Sequence, residues 1–586
     1  MDTWSALKYL PEYNCTSPDE HLSTELPIFV LFKITTMKTT LLVFILFFSS
    51  ASLLLAQTPE WQWSKRVGGS ELDIGRAVKA DASGNIYVTG SYNSATITFG
   101  DVTLSSSASS SVFLVKYNAA GNVIWAATSE GTGIVDVNHM AIDSDGNILL
   151  AGKFSSLSLI FGTTTLASVG SDDAFLVKFD SNGNVLWAKS AGSSAVDRIL
   201  GVACDTDGNT YATGNFSGTT INFGGASVAN TNNNWLYSFL VKYDPDGNAL
   251  WASGIGGNGQ DWSRVVAVDN NGDVIVAGEH SSDVFSAGSI SLTNEDGPDV
   301  FIAKFDNAGN AIWAKSGIAN SSTCQAIAVD SNNQIYITGS FSNETIVFDN
   351  ITLNNTGQLS YSEFFLAKFD SEGNTLWARS SMGDNQEEGR ALAFDASENI
   401  CVAGFFIDST ALFENINLEN MGMEDSFVAE YNSDGDLSWV ISIGAGNSDY
   451  THAMGSDPLG HLYVTGFFDS GLLSFGEHDI YTSNSGWDIF VAKLGDDITG
   501  LNNTSFDAMR IFPNPYSDRC TIQLSKPMSN GSLIVENTLG QRILQMNNIQ
   551  GTHIILDRNN LKSGTYFLHV TEDQKMITRG TVVVMD

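Results

Sequence analysis

The sequence predicts an all-β protein: a seven-bladed β-propeller closed by an N-terminal strand and followed by a small C-terminal β-sandwich. Three observations lead to this prediction. Landmark residues recur at a nearly constant spacing, short alternating strands are joined by glycine-containing turns, and no helical periodicity is present. A chain of 586 residues is also too long for one ordinary hydrophobic core, so a repeat architecture is expected.

Four landmarks recur seven times each. The first is a tryptophan, at intervals of 62 to 64 residues: Trp63, Trp125, Trp187, Trp251, Trp313, Trp377 and Trp439. The second is a glycine that closes a Y-V-T-G-like segment: Gly90, Gly152, Gly214, Gly278, Gly339, Gly404 and Gly466. The third is a phenylalanine that opens an F-L-V-K-like segment: Phe113, Phe175, Phe239, Phe301, Phe365, Phe427 and Phe490. The fourth lies in mid-repeat: Phe99, Phe161, Phe223, Phe285, Phe348, Phe413 and Phe475.

Each repeat is predicted to contain four main strands. A D-x-x-G-N turn, such as 81–85, joins the first pair, and a second turn of the same kind, such as 180–184, joins the last pair. The stretch between the second and third strands holds a further alternating run, such as 97–104, which predicts a small extra hairpin on every blade.

The two ends of the repeat region predict how the ring closes. The last repeat has a third strand at 490–493 but no fourth strand after it, whereas an orphan strand at 61–67 precedes the first repeat. This orphan matches the fourth-strand pattern, so we expect it to complete the seventh blade and remove its free edge.

The segment DIGRAVKADASGNIYVTGSYNS, from Asp73 to Ser94, resembles the bacterial β-propeller repeat called the SBBP repeat. The resemblance covers about residues 60–495. It implies the propeller fold and is nearly silent on function.

Export is predicted from the start of the chain. Residues 37–56 combine Lys38, an apolar run and a small residue at Ala56, which is the pattern of a signal peptide, so the mature chain should begin near Gln57. The run is short for a membrane span, and no transmembrane segment is expected in the mature chain. Residues 1–36 are then a mis-called or disordered leader, and the propeller occupies 57–495.

A polar linker at 496–507 is followed by alternating strands in a segment, 508–586, that is predicted to be the sandwich. This segment resembles the type A sorting domain of the type IX secretion system. The matching residues are Pro513, Asn514, Pro515, Gly540, Gly564, Thr565, Tyr566 and Lys575. The resemblance implies handling by the type IX machinery, passage across the outer membrane, and release or attachment at the cell surface. An ordinary C-terminal module is the alternative.

Composition excludes some partners. The chain has 28 Lys and Arg against 65 Asp and Glu, a net charge of −37, which argues against binding nucleic acid or anionic lipid. The scattered acids favour a solubility role over cation attraction. Cys204, Cys324 and Cys401 lie in apolar strand patterns, and the five cysteines suggest no disulfide framework.

No catalytic or metal motif is present, so no catalytic residue, metal or cofactor is predicted. The eight histidines have no metal-ligand spacing, and neither a G-x-S-x-G elbow nor a P-loop occurs. The D-x-D-G-N sequence at 143–147 is similar to the first half of a calcium loop, but no acidic residue closes it. Turn formation is the favoured interpretation and calcium the alternative.

Two polar positions on each first strand are predicted to circle one mouth of the propeller channel. Eight residues before the first-turn aspartate lie Asp73, Val135, Asp197, Asp261, Ser322, Glu387 and Asp449. Five residues before it lie Arg76, Asn138, Leu200, Arg264, Gln325, Arg390 and His452. The charged members and His452 are either candidate ligand-binding residues or salt bridges between blades.

The function predicted is a secreted or cell-surface binding, adhesion or structural module with a glycan or surface protein as ligand. The alternative is a polysaccharide hydrolase or lyase that draws its acid and base from Asp197, Asp261, Glu387 or Asp449. The ligand is expected on the side of the small hairpins, which carries the aromatic residues Trp235, Tyr237, Tyr361 and Trp487.

Overall fold

The computed structural model describes residues 58–155, 158–231, 236–294, 297–319, 321–357, 361–383, 386–407, 409–482, 486–495, 510–512, 516–537, 542–558, 561–572 and 575–585. These residues form β-strands joined by turns, with no α-helix in the described ranges. The chain divides into two compact units, one ending at Gly495 and the other beginning at Asp496. The predicted leader and signal peptide at 1–56 lie outside the described residues.

The strands of the first unit follow the repeats. The opening strand is β1 (Trp61–Val67). The first repeat holds β2 (Asp73–Ala80), β3 (Ile86–Tyr92), β4 (Thr96–Phe99), β5 (Val102–Ser105), β6 (Ser111–Tyr117) and β7 (Val123–Thr128). The short β8 (Glu130–Gly131) precedes the second repeat, which holds β9 (Val135–Ile142), β10 (Ile148–Phe154), β11 (Ser158–Phe161), β12 (Thr164–Ala167), β13 (Asp173–Phe179) and β14 (Val185–Ala191).

The third repeat holds β15 (Asp197–Cys204), β16 (Thr210–Phe216), β17 (Thr220–Asn222), β18 (Ser227–Ala229), β19 (Tyr237–Tyr243) and β20 (Ala249–Gly256). The fourth holds β21 (Asp261–Val268), β22 (Val274–His280), β23 (Val284–Ala287), β24 (Ile290–Thr293), β25 (Asp299–Phe305) and β26 (Ala311–Gly317). The fifth holds β27 (Ser322–Val329), β28 (Ile335–Phe341), β29 (Thr345–Phe348), β30 (Ile351–Asn354), β31 (Glu363–Phe369) and β32 (Thr375–Ser380).

The sixth repeat holds β33 (Glu387–Phe394), β34 (Ile400–Phe406), β35 (Thr410–Phe413), β36 (Ile416–Glu419), β37 (Asp425–Tyr431) and β38 (Leu437–Ile443). The seventh holds β39 (Asp449–Ser456), β40 (Leu462–Phe468), β41 (Leu472–Phe475), β42 (His478–Tyr481) and β43 (Asp488–Leu494).

The main strands of each repeat pair antiparallel in the order first, second, third, fourth, as in β2-β3-β6-β7. In the seventh repeat the order is β39-β40-β43-β1, so the opening strand takes the fourth position. The first strand of each repeat contacts the first strand of the next, and β39 contacts β2. The arrangement is that of a β-propeller.

The predicted small hairpin is present in every repeat, for example as β4 with β5 and as β29 with β30. The mid-repeat phenylalanines lie in or directly after the first strand of these hairpins and are buried in the core, where Phe99 packs on Phe113 with the ring centroids 5.0 Å apart. The hairpins therefore cover the third and fourth strands with apolar side chains.

The D-x-x-G-N turns are held by their aspartates, as predicted. In the first turn the Asp81 carboxylate accepts hydrogen bonds from the main-chain N–H groups of Ser83 and Asn85, both at 2.9 Å. Gly84 adopts a φ of +76°, a left-handed conformation that glycine takes without strain. We call the end of the propeller that carries these turns the turn end, and the opposite end the loop end.

A β-bulge interrupts the first strand of every repeat. One residue between the third and fifth positions of that strand has no partner on the second strand, for example Arg76 between Gly75 and Ala77. The closing glycine of the second strand permits this bulge. A Cβ on any of the seven glycines would lie 1.8–2.0 Å from a main-chain carbonyl oxygen of the first strand. Glycine recurs at this position because the backbones of the first and second strands approach too closely for any side chain to fit.

Replacing Gly278 by alanine should lower the free energy of unfolding by about 3 kcal/mol, because the new methyl group meets the Trp262 carbonyl oxygen, which belongs to rigid backbone. Gly446→Ala is the matched control, since no atom lies within 4 Å of a Cβ placed there. The free energies of unfolding of the two variants are measured by urea denaturation, with tryptophan fluorescence as the signal. Equal midpoints for the two variants would show that the bulge does not depend on glycine.

The recurring tryptophans connect neighbouring sheets. Six of them donate their indole N–H to a carbonyl in the turn between the third and fourth strands of the next sheet, for example Trp187 to Pro245 at 2.9 Å. The turn glycine lies against the indole ring, as Gly247 does against Trp187. A residue on the outermost strand of one sheet thereby positions the adjacent sheet.

The cysteines that the structure describes are free. Cys324 and Cys401 are buried, and burial raises the pKa of both thiols. They pack in the core as small apolar residues.

The second unit contains β44 (Arg510–Phe512), β45 (Arg519–Asn537), β46 (Arg542–Asp557), β47 (Gly564–Glu572) and β48 (Lys575–Val584). The prediction of a sandwich implies two sheets, whereas the hydrogen bonds join all five strands in one antiparallel sheet. The five strands form one sheet because the long strand β45 pairs with three others. Its first part pairs with β44 and its last part with β47, while β46 follows it throughout with several register shifts. Leu533, Val535 and Leu568 are among its buried core residues.

Candidate ligand-binding site

The first strands of all seven repeats surround a cavity of about 610 Å³ on the propeller axis. This volume is in the range of small-molecule sites. None of the cavity's lining residues is an aspartate or a glutamate, although the chain has 65 of them. The channel is therefore lined by apolar, neutral polar and basic groups within a strongly acidic protein.

The seven bulge residues all line this cavity. They are the residues that the sequence placed five positions before the first-turn aspartate: Arg76, Asn138, Leu200, Arg264, Gln325, Arg390 and His452. The lining of β2 is continuous from Arg76 to Ala80, so Lys79 also borders the cavity.

Two of the channel arginines are paired with glutamates of their own sheets. The Arg264 Nε donates to Glu279 Oε1 at 2.7 Å, and its guanidinium lies over the Trp262 ring at 5.0 Å from the centroid. The Arg390 Nε is 3.3 Å from Glu388 Oε1, and its guanidinium lies over Tyr450 at 5.3 Å. Each arginine is thus held in position by a carboxylate and an aromatic face.

The third channel arginine contacts a histidine of the neighbouring sheet. Arg76 Nη1 lies 3.2 Å from His452 Nε2, and because an arginine can only donate, Nε2 is the acceptor and the imidazole is neutral. Burial, followed by the charges of Arg76 and Arg390, lowers the pKa of His452 well below its usual range. Burial also lowers the pKa of the Arg76 guanidinium.

The acidic half of the predicted ring lies elsewhere. Asp73, Asp197, Asp261, Glu387 and Asp449 are 0% exposed, and none of them lines the cavity. Four of them hold the connections at the loop end together. Asp73, for example, accepts from the main-chain N–H of Gly69 at 2.7 Å and from the Ser94 hydroxyl at 2.8 Å, which joins two loops. Asp197, Asp261 and Asp449 accept equivalent bonds from the loop that precedes them.

Burial perturbs these carboxyl groups without opening them to a ligand. It raises the pKa of Asp197 and Asp449 to about 7 and that of Asp425 to about 6. Such values suit acid catalysis, but these side chains are enclosed by their own loops. The structure does not bring two of the predicted acids together in the channel, which is the geometry that the hydrolase alternative requires. The alternative prediction was that the acids and arginines of the ring form salt bridges with one another. In the structure, Arg264 and Arg390 pair instead with Glu279 and Glu388, which were not among the predicted acids.

Aromatic side chains gather beside Arg390 at the loop end. Tyr450, Phe467 and Trp487 are stacked in sequence, with centroid distances of 5.4 and 4.1 Å. Tyr361 is exposed at 39%, whereas Tyr237 is buried against Phe216. Trp235 lies outside the described residues.

Two channel residues escaped the sequence prediction. Lys79 occupies a position that is alanine or glycine in the other six repeats, and His139 one that is alanine, glycine or valine in the others. Both line the cavity. Both residues could have been found in the sequence, because each replaces the small residue that the other repeats carry at the same position of the first strand.

The candidate calcium loop does not suit the ion. One oxygen of Asp143 accepts main-chain bonds from Asp145 and Asn147, and the other accepts from Asn147 Nδ2 and is 2.8 Å from Lys178 Nζ. These donors occupy the oxygens that calcium would need. In the part of the chain that the structure describes, no group of three or more His, Cys, Asp or Glu is placed to hold a metal ion.

The predicted sorting residues fall partly outside the described residues, namely Pro513, Asn514, Pro515 and Gly540. Gly564 begins β47, and Lys575 begins β48. Tyr566 is buried and donates its hydroxyl to the Lys562 carbonyl at 2.9 Å. No helix within the described ranges is both long and apolar enough to cross a membrane.

Comparison with curated proteins gives distant relatives of this chain. The uncharacterized WD repeat-containing protein L264 of Acanthamoeba polyphaga mimivirus is 24% identical over 545 residues, which covers 75% of this chain and 38% of that protein. Regulatory protein FlaEY of Caulobacter vibrioides is 27% identical over 208 residues, which covers 35% of this chain and 21% of that protein. The chain spans less than two fifths of the length of either relative.

Solved structures match at low scores. A gluconolactonase from Xanthomonas campestris is 11% identical, with a TM-score of 0.30, and covers 74% of this chain and 98% of its own. A puromycin hydrolase is 9% identical, with a TM-score of 0.38, and covers 80% of this chain and 61% of its own. At these scores neither likeness assigns an activity to this chain.

The C-terminal segment matches a family. Residues 510–584 match the model of the secretion system C-terminal sorting domain. This agrees with the resemblance of the same segment to type IX sorting domains. The chain therefore carries a C-terminal sorting domain that directs its secretion by the type IX system to the cell surface or the extracellular space.

Proposed function

We propose that this protein is a secreted, closed seven-bladed β-propeller that binds an extracellular glycan at the loop end of its central channel. The repeats are assigned to the SBBP type on the segment 73–94. The observation that carries the proposal is the channel itself, a cavity of about 610 Å³ whose wall includes Arg76, Arg264 and Arg390.

Closure of the ring is supported by contacts between the two ends of the repeat region. The strand β1 pairs with β43 from Val67 to Trp61, and Arg66 forms an ion pair with Asp488 at 2.9 Å. Trp63 of β1 donates to the Ala119 carbonyl at 3.2 Å, the bond by which other repeats contact the next sheet. These contacts support the proposal that β1 is the closing strand of the seventh blade.

A glycan suits the site because of its size and chemistry. The cavity volume accommodates a sugar residue, and the guanidinium groups on its wall can donate several hydrogen bonds to sugar hydroxyl groups. The loop end also carries the variable small hairpins, and binding residues are found more often on loops held by a rigid scaffold.

The test is a glycan array probed with the full-length secreted chain, followed by solution affinities for the best array glycan. Arg390→Gln should weaken binding at least tenfold, because Arg390 lines the channel. Arg379→Gln is the matched control, since Arg379 stacks on Trp377 at 5.5 Å and reaches the turn end through the Asp434 carbonyl.

Equal loss of affinity in the two variants, at unchanged melting temperature, would show that the loop end is not the binding face. An array without any bound glycan, together with direct binding to a surface protein, would replace the glycan by a protein ligand.

A further inference from the structure

One sector of the channel concentrates positive charge. Arg76 and Lys79 of the first repeat line the cavity next to His139 of the second and His452 of the seventh. The whole chain carries a net charge of −37, yet none of the described residues that line this cavity has a carboxylate. The charged side chains on this part of the wall are therefore opposite in sign to the net charge of the protein.

Arg76 and Lys79 differ from the other channel cations in their partners. Arg264 and Arg390 are neutralised by Glu279 and Glu388. Among the described residues, no carboxylate lies within 4.0 Å of the Arg76 guanidinium or the Lys79 ammonium. The carboxylate that most raises the pKa of Arg76 is Asp136, which is itself 3.6 Å from the Lys153 ammonium.

Holding two cations without an anion in a confined channel is costly, since each has lost part of its hydration. The equivalent position of Lys79 in the other repeats is a small side chain, so packing of the propeller does not require a lysine there. The same holds for His139, whose position is alanine in four repeats. The first and second repeats thus depart from the pattern at adjacent points of the channel wall.

The histidines add one donor to this sector. The main-chain N–H of Val202 donates to His139 Nδ1 at 3.4 Å, so the proton of the neutral imidazole lies on Nε2. Burial, followed by the charge of Lys79, lowers the pKa of His139 to about 4. His139 is therefore neutral near pH 7 and has an Nε2–H group available to donate.

We propose that the channel binds an oxyanion in the sector formed by Arg76, Lys79 and His139. This inference deepens the proposed function, on which it rests, by naming the charge of the ligand: the glycan that enters at the loop end carries a carboxylate, sulfate or phosphate group that reaches Lys79, near the turn at 81–85. A guanidinium, an ammonium and an imidazole N–H supply the charge-assisted hydrogen bonds that such a group accepts.

The test uses radiolabelled sulfate in equilibrium dialysis against the full-length protein at low ionic strength, where screening is weakest. We expect saturable binding of one sulfate per chain. Unlabelled phosphate and glucuronate should compete, and neutral glucose should not. Glucuronate displacing sulfate more strongly than acetate would identify the oxyanion as one carried by a sugar.

Lys79→Ala with His139→Ala should weaken sulfate binding at least tenfold. Each change introduces a residue that other repeats carry at the same position, so the fold should tolerate both. Arg76→Gln should have the same effect through an independent residue. The matched control is Lys65→Gln with Lys189→Gln, which removes two positive charges from the outermost strands β1 and β14.

Absence of saturable sulfate binding by the parent chain would overturn the inference, as would equal weakening in the control variant. The melting temperature of Lys79→Ala in sulfate-free buffer gives a second measure, and we expect it to equal or exceed that of the parent, because an unpaired cation is removed. A clear decrease would mean that Lys79 has a structural role instead.

The two proposals fail differently. A neutral glycan that binds in an Arg390-dependent manner, without competition from sulfate, would leave the proposed function in place and remove the oxyanion. Sulfate binding that depends on Lys79, with no glycan bound at the loop end, would do the reverse.

Discussion

Removing residues 58–67 should destabilise the propeller by about 5 kcal/mol or more, or cause it to aggregate. The deletion leaves one edge of β43 unpaired and removes Arg66, which forms an ion pair with the buried Asp488. It also removes Trp61, which packs edge-on against Phe475 at 4.8 Å, and the Trp63 bond to the first sheet. Burial of large aromatic side chains contributes on the order of 2–3 kcal/mol each.

The measurement is thermal and urea unfolding of a chain that begins at Thr58 against one that begins at Gly68. A synthetic peptide with the sequence of residues 58–67 should restore part of the lost stability when it is added to the shorter chain. A scrambled peptide of the same composition should not. Identical melting of the two chains would show that β1 is not a closing strand.

Removal of residues 508–586 should abolish surface display while leaving the propeller folded. The reason is that residues 510–584 match a sorting domain, whereas the compact unit that contains the repeats ends at Gly495. In a host with a type IX secretion system, the truncated chain should accumulate in the periplasm and be protected from protease added to intact cells.

Two controls separate sorting from folding. The purified truncated chain should melt at the temperature of the propeller transition in the full chain. Fusion of residues 496–586 to an unrelated folded reporter should bring that reporter to the surface. Normal display of the truncated chain would contradict the sorting role.

Much of this architecture could be predicted from the sequence because the repeats are periodic. The turn at 81–85 depends on Asp81 and Gly84, which are local requirements of a short hairpin loop and can be recognised without any tertiary information. The same is true of the small hairpins and of the sorting segment, where motif residues stand at characteristic positions. A locally determined feature that recurs seven times leaves few alternatives.

The site was predicted less completely. The sequence placed Asp73 and Arg76 in one ring, yet Asp73 is buried beneath two loops and Arg76 faces the channel. Residues three apart lie on opposite faces of a strand, and the bulge at Arg76 then shifts the alternation of every residue that follows. Only the pairing of β2 with β3 reveals where that shift occurs.

What the sequence by itself determined is the repeat, its turns and the sorting segment, since each depends on residues close together in the chain. What only the tertiary structure decided is which polar side chains meet. Arg76 touches His452, which lies 376 residues away, and Lys79 influences His139 across a boundary between sheets. These contacts arise because the ring brings the first strand of every repeat to one axis, and no local pattern encodes that proximity.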